Sequence, residues 1–168
     1  MIRRSGPATL GVVLLVGVAA CGSDGGDELV FGGDPVSQCV RMPEGASMVV
    51  GAVMRAPGGS DLVVKKIGLD GAKGVKTDKA FIVPLGSGRS PIGNANYPPA
   101  AHAAWESRVP AENATVKADE EANLLLVVSR SGALDGSATG MRLDYLGGTK
   151  TNSTTYTFRS DCSSANAG

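Results

Sequence analysis

The sequence is poor in the groups that usually do chemistry. It has one histidine, one tryptophan and an aromatic content of 4%. A serine hydrolase needs a base beside its nucleophile. His102 is the one imidazole, and no serine has glycine two positions away on both sides, so the nucleophile-elbow pattern is missing. A zinc site usually wants three or four His, Cys or carboxylate ligands, a set this chain does not suggest. Excess charge is missing too, since 16 basic residues face 16 acidic ones. That balance argues against a nucleic-acid surface, which needs a basic patch. Gly86-Ser87-Gly88 starts like a dinucleotide loop, but position 91 is proline and no βαβ unit surrounds it. The expectation is a chain without catalytic residues, metal, cofactor or nucleic-acid partner.

What is present begins with the N-terminus. Arg3 and Arg4 form a positive region, Leu10 to Ala20 an apolar stretch, and Val18-Ala19-Ala20-Cys21 closes it. The apolar stretch is too short to span a hydrocarbon core, which takes about 20 residues, but fits a cleavable signal. Val-Ala-Ala-Cys resembles the lipobox of bacterial lipoprotein precursors. The resemblance covers about the first 21 residues. It implies a signal peptide over 1–20 and a diacylglycerol on Cys21, holding the mature chain to the extracytoplasmic face of the cell membrane. Gly22 to Gly33 is rich in Gly and Asp and has little to bury, so residues 21–35 read as a flexible tether. Loss of Arg3 and Arg4 leaves the mature part slightly acidic.

With Cys21 set aside for lipid, Cys39 and Cys162 remain at the two ends of one domain, 36–163, with 164–168 as a disordered tail. Outside the cell such a pair oxidises, so a disulfide is expected. Cys162 shares the parity of Tyr156 and Phe158, which places the bridge toward the core if that strand extends so far.

Within this domain the periodicity is that of strands. Ala46–Ala56 carries Met48, Val50, Ala52 and Met54 on one face. Leu62–Leu69 follows a Pro-Gly-Gly turn, and its apolar phase slips at Lys65-Lys66, which marks a bulge. Val75–Val83 returns after a Gly-rich turn. Asn123–Ser129 is apolar on both faces, as in a central strand. Met141, Leu143 and Tyr145 alternate with polar residues, as do Tyr156 and Phe158. Six or seven short strands with Gly/Pro turns predict an all-β, antiparallel β-sandwich, with a small barrel as the alternative. The pattern resembles the immunoglobulin and fibronectin type III class, over roughly residues 39–162. A core Cys…Trp…Cys arrangement is not met, because Trp105 lies in a loop-like stretch. Met42, Met48 and Met54 recur every six residues, a spacing that copper carriers could use but that core packing explains better. Asp119-Glu120-Glu121 reads as a solvated turn.

The stretch from Pro84 to Ala114 breaks the strand pattern with five prolines. A loop of this length in a compact domain is unusual and often functional. It holds the sole Trp and His, so Tyr97, His102 and Trp105 are the candidate contacts for an envelope protein or small ligand. The competing expectation is that Trp105 folds back over the sandwich. The reading is a lipid-anchored, non-catalytic binding or structural module of the cell envelope. The alternative is a metal or small-ligand carrier using 84–114.

Overall fold

A computed structural model describes residues 28–163 except Ser87, Ala133 and Leu134. The signal peptide, Cys21 and the 164–168 tail lie outside the described residues. The chain forms thirteen strands among those described: β1 (Val30–Phe31), β2 (Ser37–Arg41), β3 (Ser47–Arg55), β4 (Leu62–Asp70), β5 (Val75–Pro84), β6 (Ala95–Asn96), β7 (Val109–Pro110), β8 (Thr115–Val116), β9 (Glu121–Arg130), β10 (Gly136–Ala138), β11 (Gly140–Tyr145), β12 (Gly148–Thr151) and β13 (Thr155–Arg159). One 3-10 turn covers Ala103–Ser107.

The expected all-β sandwich is what these strands build. One sheet runs β1-β3-β9-β5-β7, with β6 beside β1 on the same edge of β3. Against it stand a four-stranded sheet, β12-β11-β4-β8, and a three-stranded one, β10-β13-β2. Pairing is antiparallel except between β13 and β2. The main core draws from all three sheets: Met48, Val50 and Met54 of β3, Leu124, Leu126 and Val128 of β9, Val64 and Ile67 of β4, Met141 and Leu143 of β11, Tyr156 and Phe158 of β13. Alternation with period two sends these side chains to one face of each strand. Met42 joins them, so all three spaced methionines are core residues.

Two details depart from the sequence reading, and one bears it out. Residues 28–35, expected in the tether, are already part of the fold: Val30 and Phe31 pair with Arg55 and Met54, and Leu29 and Phe31 are buried. Three apolar residues, Leu29, Val30 and Phe31, amid glycines and acids are too few to show a period. The disulfide Cys39–Cys162 is present, with the Cα atoms 5.8 Å apart, but it does not point into the core. Cys39 lies opposite Thr157, on the face away from Val40 and Phe158, and β13 ends at Arg159, so both cysteines are half-buried. The slip at Lys65-Lys66 is a bulge: Asp144 pairs with Lys66 and Tyr145 with Val64, leaving Lys65 without a register partner. A second bulge isolates Asp78 on β5.

Candidate functional site

Apart from Ser87, which lies outside the described residues, the segment 84–114 packs along the first sheet, with Ile92, Ala104 and Trp105 forming a cap on its outer face. Ala95 and Asn96 pair with Val49 and Met48 as an added edge strand. Ile92 is fully buried and clamped from two sides. Its N–H donates to the Asn123 Oδ1 at 2.7 Å, while its carbonyl lies where any Cβ on Gly51 would sit, 1.9 Å away. Asn123, itself fully buried, uses its amide to donate to the Ala52 carbonyl at 3.2 Å. Buried polar groups need such partners, so Asn123 fixes the cap to the strands beneath it. A second core results, in which Ile92, Ala104 and Trp105 cover Val49, Val83, Leu125 and Val127. This is why β9 is apolar on both faces.

Trp105 therefore belongs to the structure of the cap, as the expectation that it folds back over the sandwich has it, and not to a contact surface. It is 4% exposed. Its ring meets the Phe81 edge at 5.3 Å and Tyr97 at 6.0 Å, and the Arg108 guanidinium stacks over it at 4.2 Å. Tyr97 is half-buried at the rim, where its hydroxyl accepts from Lys79 Nζ at 3.2 Å. His102 is exposed just before the 3-10 turn. Tyr97 and Trp105 are brought together, but the three residues do not form one surface.

Beside the cap the sandwich is open. β4 pairs with β8 only through Leu62–Val63, and β5 with β7 only through Phe81–Ile82. Between residues 65–67 of β4, 79–81 of β5 and 110–112 lies a cleft of about 510 Å³. Ile67, Ala80, Phe81 and Ala111 give it an apolar lining, and Lys65 and Lys79 stand at its rim. The lysines hydrogen-bond to neutral oxygens, Lys65 to Asn113 Oδ1 at 3.5 Å and Lys79 to the Tyr97 hydroxyl. Lys66 is also in the lining but is the register partner of Asp144 on the outer face. The Thr149 hydroxyl, the Arg142 guanidinium and, at longer range, Lys66 hold that carboxyl below the usual carboxylate range. Sequence reasoning missed this cleft. The signal was the bulge at Lys65, read for geometry and not for charge.

Other groups resolve into structure. Asp119 and Glu120 lie at the expected turn, with Glu121 already in β9: Asp119 adopts φ 61° and pairs with Arg55 at 3.4 Å, and Glu120 accepts from the Lys117 backbone. Among the described residues no three His, Cys, Asp or Glu side chains are placed to hold a metal ion. No helix among them is long and apolar enough to cross a membrane. A second cleft, of about 520 Å³, is lined by Gln38, Asn152, Thr154 and Tyr156 and carries no cation.

No family model and no curated protein matches the chain. Among solved structures it is similar to part of a family 123 glycoside hydrolase from Clostridium perfringens. The TM-score is 0.40 at 12% identity, over 73% of this chain and 22% of that one. The chain thus spans about a fifth of that enzyme's length, and a likeness at this level carries no conclusion about activity.

Proposed function

We propose that the protein is a lipid-anchored lipoprotein of the extracytoplasmic face of the cell membrane, and that its domain is a non-catalytic binding or structural module of the cell envelope. The observation that carries this reading is the Cys39–Cys162 bridge. Stable disulfides belong to oxidising compartments, and this one uses two of the three cysteines, leaving Cys21 at the end of the apolar N-terminal stretch as the acceptor for lipid. The chain joins the fold at Leu29. From Cys21 to Leu29 even a fully extended chain reaches under about 30 Å, so the domain would stand close to the bilayer. A second reading, a carrier of a small ligand, draws on the cleft beside the cap.

The anchor is tested by substitution. Wild-type protein made in a bacterial host with an alkyne-tagged fatty acid should incorporate the label and enter the detergent phase. Cys21→Ser should do neither, or remain as unprocessed precursor. Continued labelling of Cys21→Ser would overturn the lipobox reading.

A further inference from the structure

We infer that the cleft between β4 and β5 is a binding site for a small amphiphilic anion, an acidic head group carried on an apolar body. Its volume, about 510 Å³, lies in the range of small-ligand sites, roughly 300–1,000 Å³, and such sites combine an apolar lining with a few placed polar groups. Here the lining is Ile67, Ala80, Phe81 and Ala111, and the polar groups are Lys65 and Lys79.

The charge distribution gives the ligand's sign. Arg55, Lys76, Lys117, Arg142, Lys150 and Arg159 each have a carboxylate partner at 2.7–3.4 Å. Lys65 and Lys79, like Arg41, Lys66, Lys73, Arg89 and Arg108, have none among the described residues, and the two matter here because they line the cleft. They are held by an amide oxygen and a phenol, which orient an ammonium without neutralising it. Glu112 is the one carboxylate of the lining and forms no ion pair there. Two uncompensated ammonium groups over an apolar floor attract an anion whose body can cover that floor. Lysines also guard open strand edges against pairing with other chains. Edge protection accounts for their presence on β4 and β5, but not for a concave apolar floor between them.

The site would deepen the reading as a binding module, and it does not depend on the anchor. The test uses mature, unlipidated protein carrying Cys21→Ser, with decanoate, decanol and anionic phosphatidylglycerol vesicles as probes. Decanoate should bind saturably and shift backbone amide resonances of residues 65–67, 79–81 and 110–112. Decanol should bind at least tenfold more weakly. Lys65→Gln/Lys79→Gln should lose at least tenfold in decanoate affinity and bring it to the level of decanol, with an unchanged thermal midpoint showing that the fold is intact. Binding to vesicles through the same resonances, without binding of free decanoate, would assign the head group to a bilayer lipid and support the acidic-amphiphile site from that source. No saturable binding of either anion, equal affinity for decanoate and decanol, or an unaffected double variant would overturn the proposal. Any of those results obtained with intact fatty-acid labelling of Cys21 would leave the anchored reading standing.

Discussion

Trp105→Ala gives the sharpest test of the cap. A tryptophan buries about 150–250 Å², and at 25 cal/mol per Å² that is worth about 4–6 kcal/mol. Trp105 is 4% exposed, so nearly all of it counts. The ring also meets the Phe81 and Tyr97 edges and the Arg108 guanidinium. Aromatic and cation–π contacts of this kind add about 0.5–1.5 kcal/mol each. Collapse of the cap into the vacated space returns part of this, which brings the expectation to the 3–5 kcal/mol usual for Trp→Ala. In a domain of this size that lowers the thermal midpoint by about 10 °C or more.

The second core is separate from the main one, so the loss has a second signature. The cap can open while the sandwich stays folded. Urea unfolding of Trp105→Ala should then show a smaller m-value than wild type, and protease should cut between Pro84 and Pro110 first. Wild-type fluorescence should be blue-shifted and poorly quenched by iodide. A stability change under about 1 kcal/mol, with easy quenching in the wild type, would refute the placement of Trp105 beneath the cap.

Gly51→Ala puts a methyl group into the Ile92 carbonyl, 1.9 Å away; backbone must move, and denaturant titration should show a loss of at least about 2 kcal/mol, in the range of overpacked cores. Cys39→Ser/Cys162→Ser opens a loop with a sequence separation of 123; the chain-entropy model gives about 5 kcal/mol for such a loop, and a loss of about 2–5 kcal/mol is expected by calorimetry. Burial pushes the Tyr156 hydroxyl above the usual tyrosine range, against opposing hydrogen bonds with Asn152 and Thr154. Because the folded state keeps this proton longer than the unfolded chain, its contribution is whole below about pH 10 and is lost as pH rises through the folded value. Stability measured from pH 9 to 11 should fall less steeply in Tyr156→Phe than in wild type, and parallel slopes would refute the assignment.

The longer strands were legible because each is long enough to show its period. β3, β4, β5, β9, β11 and β13 all fall where alternating or continuous apolar residues place them. The two-residue strands β1, β6, β7 and β8 carry no period, and their pairing is decided by the longer strands they lie against. The cap was half legible. Its prolines mark a departure from the sheet, and Leu125 and Val127 on the second face of β9 show that something covers that face. Trp105, the one large aromatic of the segment, is legible as a candidate cover, but nothing local to Ile92 marks it as one, because that contact is made across the sheet with Gly51 and Asn123. Charge was read by totals, and the balance of 16 against 16 hides a local excess at Lys65 and Lys79.

The cap and the cleft share parts, and this changes where the long loop enters the functional argument. Phe81 presents one side to Trp105 and another to the cleft, while Lys79 is steered by Tyr97 at the cap's rim. Pro110 and Ala111, where the segment rejoins β5, close the end of the cleft, and the Ala111 N–H donates to the Ala80 carbonyl. The prolines and the single tryptophan thus act at one remove. They set the wall and orient one of the two cations, and a ligand would touch Phe81 and Lys79 instead of Trp105. A rigid frame with its polar groups already held lowers the ordering cost of binding. On that account Tyr97 and Trp105 position the site, and the residues that would meet a ligand lie on β4 and β5.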